Sequence, residues 1–465
     1  MLWLLWTMLW GCWGGDGPDA GPVGVIIISM DTVRWDHTSL GGYHHDTTPN
    51  LARLAAEPGA VRFDRAYTPA SWSLPAYASL FTGQEALTHG LGFTRDTVEP
   101  TTRTLAGVLQ AYGYQTRALC SGPHLVAQQG FDRGFDSYEH NTSALPITAA
   151  VTGALRWLED DRDPESPFFL FIQGYDAHFP YGTPAALSEL FDVSEPARPD
   201  GGCAKSCGAA RKNNGWRCAS QLLQEQGTAS LSAAQVEHVV AHYDAAVYYA
   251  DYQLGRLLHQ LEALGLYDDV IIAVISDHGE GLGEEGRLGH DWDCSEDIFH
   301  VPLVIRTPSG VPPLQRQAVV SLSGLAPTLL EFVGIEPPVE ADAESFAALL
   351  SPEAPDAVVG TGIVRSASKQ CYTARDSQWR YTEPWAGTDW TPLPPRLQRD
   401  GYGPDLSDTA PEDAARLAGA ITDWPRGMDL NEINERAGRD DPILQQALQD
   451  GGYWSAPSTP APEAP

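Results

Sequence analysis

Short, unbroken apolar runs punctuate this chain, and two of them end in acidic residues. VGVIIISM at 23–30 is closed by Asp31, Thr32, Val33 and Arg34, and VIIAVI at 270–275 by Ser276, Asp277, His278 and Gly279. Apolar runs of this length, bounded by turn residues, predict strands buried on both faces of an α/β sheet. Such sheets bind ligands beyond the carboxyl ends of their strands, so the pattern carries Asp31, Asp277 and His278 to one crevice. Between the two runs, ASWSLPAYASLFTG at 70–83 predicts a helix starting beside Ser73, with Pro75 just inside its first turn. Taken singly, Asp31 is explained as a turn former and Ser73 as a helix N-cap. Their order along the chain is what points to chemistry.

Asp31, Asp277 and His278 offer two carboxylates and an imidazole. That set holds one divalent cation and leaves positions open for an ester oxygen and for the Ser73 hydroxyl. Carboxylate oxygens suit calcium, which is the metal expected here; manganese, zinc and magnesium are the alternatives. A metal would lower the pKa of the Ser73 hydroxyl, and the first amides of its helix would face an anionic group being transferred.

Length allows one large α/β domain and a smaller one. The large domain is expected over 23–334, with IEPP at 335–338 as the seam and a second unit over 339–450. The Pro-rich, low-complexity residues 451–465 form an expected disordered tail. Lys plus Arg number 29 against 61 Asp plus Glu, a net charge of −32. This balance argues against nucleic acid and against charge-driven adhesion to anionic lipid. It also repels polyanionic glycans over a Debye length of about 8 Å, which favours small substrates.

The first residues, MLWLLWTMLWGC, form an apolar segment too short to span a bilayer, and LWGC at 9–12 resembles a bacterial lipobox. Residues 1–22 are therefore expected to be a lipoprotein-type signal and tether, with lipidation at Cys12 and export to the periplasm or cell surface. The lipid anchor would be the chain's contact with the membrane. Six further cysteines, Cys120, Cys203, Cys207, Cys218, Cys294 and Cys371, permit up to three disulfides in an oxidising compartment. Three of them cluster in an insertion at 200–228, which predicts a stapled loop at the pocket rim.

Longer motifs follow in order. They include ISMDTVRWDH at 28–37, TTPNLARL at 47–54, FDRAYTP at 63–69, GYQT at 113–116, His124-Leu125 and GFDRGFD at 130–136. FFLFIQGYDAHFPY at 168–181, YDAA at 243–246, DYQLG at 251–255, Gly289-His290, HVPL at 300–303 and LAPTLL at 325–330 continue the series. Together they resemble the sulfatase family of the alkaline phosphatase superfamily, from about residue 23 to about 448. The resemblance implies an α/β fold with a large mixed, mostly parallel sheet flanked by helices. It also implies a smaller C-terminal α+β subdomain, carried by KQCYTARDSQWRY at 369–381 and MDLNEINER at 428–436. It implies sulfuric ester hydrolysis with residue 73 as nucleophile. His124, His178 and His290 would line the pocket, contacting non-bridging oxygens or protonating the leaving group.

Two departures bear on that activity. The family's Cys/Ser-x-Pro-x-Arg signal, read by enzymes that oxidise its first residue to formylglycine, appears as Ser73-Leu74-Pro75-Ala76-Tyr77. Tyr77 stands in place of arginine, which puts formylglycine at Ser73 in doubt. The family's lysine ahead of the His-Leu pair is replaced by Gly122. An unmodified serine leans toward phosphate or phosphonate esters, because a seryl phosphate is resolved by in-line water attack. A metal binder that has lost turnover is the remaining alternative. Oligomeric state leaves no trace in the sequence.

Overall fold

The computed structural model describes residues 24–141, 146–179, 181, 187, 190–191, 233–284, 288–290, 294–356, 362–385, 394–401 and 403–424. Cys12, the 200–228 insertion, MDLNEINER at 428–436 and the tail at 451–465 lie outside the described residues.

Strands β1 (Gly24–Met30), β2 (Ala60–Tyr67), β3 (Gln115–Ser121), β4 (Ser137–Asn141), β5 (Phe168–Gly174) and β6 (Val270–Ile275) precede a short hairpin, β7 (Gly281–Leu282) and β8 (Leu288–Gly289). β9 (His300–Arg306), β10 (Leu314–Arg316) and β11 (Val320–Ser321) complete a nine-stranded sheet in the order β10-β2-β9-β6-β1-β5-β3-β4, with β11 also on β2. β1 lies at its centre, parallel to β5 and β6, and β9 runs antiparallel to both β2 and β6. The expected mixed, mostly parallel sheet is the one observed.

Every residue of β1, β5 and β6 is buried. Alternate side chains feed two apolar layers: Val25, Ile27, Phe169 and Phe171 on one face, and Ile26, Ile28, Leu170 and Ile172 on the other. Burial of such side chains stabilises by roughly 1.5–3 kcal/mol each, which explains why these runs carry no polar alternation. Ser29 in β1 and Gln173 in β5 are the exceptions, buried polar residues beside the strand ends.

Helices α1 (Pro49–Ala55), α2 (Ser73–Thr82), α3 (Ala86–His89), α4 (Leu105–Ala111), α5 (Ile147–Arg156) and α6 (Ala233–Ala263) flank the sheet, with α7 (Glu296–Phe299) and α8 (Leu325–Phe332) following β6 and β11. No described helix is long and apolar enough to cross a membrane. After α8 the chain first packs back on the main body: Ala343 N donates to Gly83 O at 3.0 Å and Phe346 meets Phe63 edge-on. A four-stranded antiparallel sheet then follows, β12 (Val364–Ala367), β13 (Cys371–Arg375), β14 (Trp379–Pro384) and β15 (Arg396–Arg399), covered by α9 (Pro411–Thr422). Buried Glu296 of α7 binds Arg375 and Arg380 of that sheet, so charge as well as apolar surface fastens it to the main body.

Candidate active site

β1 delivers Asp31 by stopping at a left-handed turn. Thr32 has φ 60°, a costly conformation for a β-branched residue, and three contacts hold it there. Its N–H donates to Asp277 Oδ1 at 3.3 Å, its hydroxyl to Asp31 O at 2.8 Å, and Tyr243 OH of α6 to its carbonyl at 2.7 Å. Strand β6 ends alongside in Ser276 and Asp277. There Gly279 lets the backbone of Asp297 pass where any Cβ would collide with it.

The predicted ligand set is assembled. One oxygen or nitrogen from each of Asp31, Asp277 and His278 lies within 4.8 Å of the others, and all three residues are buried. Gln173 Nε2 donates to Asp31 Oδ2 at 2.8 Å. Asp31 Oδ1 and Asp277 Oδ2 have no hydrogen-bond partner among the described residues, although Asp277 Oδ2 lies 3.3 Å from His278 Nε2. Burial, and then the Asp277 carboxylate, push the Asp31 carboxyl well above its usual range. His278 Nδ1 faces the Gly279 carbonyl at 2.9 Å and must carry the hydrogen, which leaves Nε2 as a lone-pair donor turned into the cluster. Two orphaned carboxylate oxygens and a correctly turned imidazole fit a divalent cation.

Ser73 joins this group, with its Oγ 3.2 Å from His278 Nε2. The helix begins at Ser73 itself, and its N-cap is Trp72, in extended conformation, not Ser73. Ser73 is therefore the first helical residue, and its hydroxyl faces the cluster. The helix closes at Gly83, left-handed at φ 67°. All ten residues of α2 are buried, so Ser73 stands on a rigid element.

His178 and His290 complete a contiguous ring cluster. The His290 ring centroid lies 4.2 Å from that of His278 and 5.0 Å from that of His178. His178 Nδ1 faces Phe179 O at 2.6 Å, and desolvation, then His290, lowers the His178 pKa to about 4. His290 Nδ1 meets Glu280 Oε1 at 2.9 Å. His124 sits on the turn after β3, at the same carboxyl-end rim, where its carbonyl accepts from His140 Nε2 at 2.9 Å.

Glu280 and Gln173 escaped the sequence reading. Glu280 is wholly buried, and its second oxygen accepts from Phe179 N at 3.2 Å, so it ties the His290 ring to the segment carrying His178. The signal for Gln173 was its polarity inside an apolar run. Tyr77 stands where the resemblance puts an arginine, and Gly122, beside Tyr175, where it puts a lysine. Tyr77 is buried with its hydroxyl 2.8 Å from Ser29 Oγ, and a Cβ on Gly122 (φ 95°) would lie 2.7 Å from the Tyr175 ring, which stacks on His178.

Among the described residues, a disulfide joins Cys294 to Cys371. Cys120 is instead a buried free thiol, pushed up to about 12 by desolvation, so it forms none of the bridges the cysteine count permitted. Cys203, Cys207 and Cys218 lie outside the described residues.

The arrangement agrees with what the chain is similar to. An arylsulfatase of Clostridium perfringens is 23% identical over 382 residues, spanning 68% of this chain and 75% of that protein. An N-acetylglucosamine-6-O-sulfatase of Bacteroides thetaiotaomicron is 25% identical over 400 residues, 71% of each chain. Among solved structures, the phosphonate monoester hydrolase of Agrobacterium radiobacter shares the fold, with a TM-score of 0.66 at 20% identity over 90% of this chain and 96% of its own. The family model described as Sulfatase matches residues 24–335, from the strand that delivers Asp31 past the segment that carries Asp277, His278 and His290. Since that match takes in well over half the sequence and the whole residue cluster, the chain belongs to the sulfatase family, within the alkaline phosphatase superfamily.

Proposed function

We propose that this protein hydrolyses small sulfuric monoesters, with Ser73 as the nucleophile. The single observation that carries the reading is the placement of the Ser73 hydroxyl against His278, beside two buried carboxylates with orphaned oxygens. Asp31, Asp277 and His278 would hold one divalent ion, calcium by its preference for carboxylate oxygen, with Ser73 beside it. When bound, that ion supplies Lewis-acid polarisation of the ester and a lowered pKa at the nucleophile.

The residues divide the proton work. His290, backed by the Glu280 carboxylate, is suited to carry a proton on Nε2 and give it to the departing alcohol oxygen. His178 is held neutral, with its hydrogen on Nδ1 facing a carbonyl, so its Nε2 can accept a proton from the attacking group. Ser73 attacks sulfur, the ester oxygen leaves as alcohol, and water then releases sulfate and restores the serine. The helix amides of α2 face the transferred group. His124 approaches from the β3 rim. The relatives named arylsulfatase and N-acetylglucosamine-6-O-sulfatase support a small sulfated alcohol, phenol or sugar as substrate. Cys12 would tether the exported protein to a membrane face.

A phosphate or phosphonate ester is the second reading. Tyr77, locked to Ser29, supports an unmodified Ser73, which turns over more readily on phosphorus. The test is hydrolysis of nitrophenyl sulfate and nitrophenyl phosphate by calcium-loaded wild type and Ser73→Ala, with peptide mass spectrometry across residue 73. Sulfate turnover abolished by Ser73→Ala supports the first reading. Turnover confined to the phosphate, with an intact serine, replaces it with the second, and a metal-loaded protein inert on both is a binder.

A further inference from the structure

Tyr77 and Gly122 stand where the resemblance puts an arginine and a lysine, yet the proposed substrate is an anion. Arg34, the buried guanidinium behind the metal cluster, is committed to Asp36 at 2.7 Å, Glu284 at 2.7 Å and Asp297 at 3.3 Å. The carboxylates of Asp31, Asp277 and Glu280 also lie close by. An anion entering such a site needs a positive partner on the opposite wall.

The C-terminal subdomain brings one there. Where β12 ends, its backbone pairs in parallel with the segment that leads into the nucleophile. Ala367 N donates to Pro69 O at 3.0 Å and Ser71 N to Ala367 O at 3.1 Å, with Ala70 and Ala367 in register. Ser366 Oγ adds a bond to Thr68 O at 2.6 Å. Beyond Ala367 the chain turns back, with Ser368 N donating to Cys371 O at 2.9 Å, and Lys369 lies in that turn. Its Nζ is 5.3 Å from the ring centroid of Trp72, the neighbour of Ser73.

The same turn is fastened on its other side to the loop that follows His290. Cys371 is bonded to Cys294, four residues beyond His290, and Cys294 Sγ and Ser368 Oγ lie 3.3 Å apart. Residues 368–371 are thus clamped between the nucleophile segment and the His290 loop. Lys369 is half-buried, and it is the one lysine among the described residues. A compact ammonium on a flexible stem suits contact with a sulfate oxygen better than the planar fork of Arg34, already paired with three carboxylates.

We propose that Lys369 is an anion-binding residue of this pocket. Reaching past Trp72, it meets the sulfate-bearing end of the substrate, and the Cys294–Cys371 disulfide holds it in place. The assignment rests on the sulfuric ester reading of the site. It predicts a binding role with little share in bond cleavage, because the charge it faces is already present in the ground state.

The test uses the calcium-loaded full chain with Lys369→Met and Lys369→Arg, nitrophenyl sulfate kinetics, and calorimetric titration with inorganic sulfate. Loss of one charge-assisted contact should raise KM and the sulfate dissociation constant about tenfold in Lys369→Met, with kcat changed by less than about threefold. Lys369→Arg should recover most of that loss, and the Cys294→Ser/Cys371→Ser double variant should weaken sulfate binding in the same direction. A Lys369→Met protein with unaltered KM and sulfate affinity, or one that loses kcat alone, overturns the proposal. If wild type turns over no sulfate ester, the functional reading fails separately. Sulfate titration then decides for Lys369: tighter binding by wild type than by Lys369→Met upholds it, and equal binding refutes it.

Discussion

Replacing Glu280 by glutamine tests whether the His290 ring is set by its buried carboxylate. Glu280 accepts twice, from His290 Nδ1 at 2.9 Å and from Phe179 N at 3.2 Å. Glutamine is nearly the same shape but has one acceptor oxygen. If that oxygen stays with Phe179, the amide hydrogens face His290 Nδ1 and force the opposite tautomer. If it stays with His290, they oppose the Phe179 N–H. Either way one buried contact is lost, at about 1–3 kcal/mol, and the carboxylate that favours a protonated imidazole is gone. For an acid that protonates the leaving group, a loss of that size lowers kcat/KM by about 10–100-fold. The fall should appear with phenyl sulfate, whose leaving oxygen needs the proton. It should stay below about threefold with nitrophenyl sulfate, which departs as a stable anion. The assay is kcat/KM across a series of aryl sulfates, with melting temperature and metal content as controls. Equal losses across the series, or none, would refute the role given to Glu280 and His290.

Two predictions concern stability. His89 is buried and neutral, accepting from Leu91 N at 3.0 Å on Nδ1, with Nε2 2.9 Å from Ser79 Oγ; burial lowers its pKa to about 3. Between that value and the ordinary 6.5 the unfolded state binds the extra proton, so stability is complete above 6.5 and drains as pH falls. The cost reaches about 2 kcal/mol near pH 5, and His89→Gln should flatten the fall in melting temperature between pH 7 and pH 5. Asp31 has the opposite sign: its folded pKa is raised, so metal-free protein loses stability as pH climbs above the usual 3.8. Melting curves after chelation should show that slope, calcium should abolish it, and Asp31→Asn should remove it without calcium; a chelated protein whose melting temperature is flat with pH contradicts the assignment.

The candidate metal ligands were legible because strand ends are where a buried sheet must expose polar groups. Asp31 and Asp277 each closed an apolar run, and adjacent strands carried them together. Ser73 was legible as a helix start, yet its exact part was not, since serine at such a position ordinarily caps. Only the coordinates show Trp72 as the cap and the hydroxyl turned toward His278. Glu280 follows Asp277-His278-Gly279 directly, yet nothing local marks a carboxylate that folds back onto His290. The pairing of Cys294 with Cys371 and the approach of Tyr175 to Gly122 join residues far apart in the chain, which no local pattern encodes.

Those long-range contacts bear on how the site must work. Tyrosines fill the space around two places where the family puts cations, while the floor keeps two buried carboxylates and a third behind His290. In such a pocket, anion and metal cannot bind independently: each relieves the charge that opposes the other. Coupling of this kind is reciprocal, so whatever factor the divalent ion adds to sulfate affinity, sulfate must add to the affinity for the ion. In the proposed site, replacing the arginine and lysine by Tyr77 and Gly122 therefore shifts the burden of anion recognition onto the ion that Asp31, Asp277 and His278 would hold. What remains falls to whatever cation the C-terminal turn can hold at the mouth, which is why a single lysine beside Trp72 carries weight out of proportion to one surface charge.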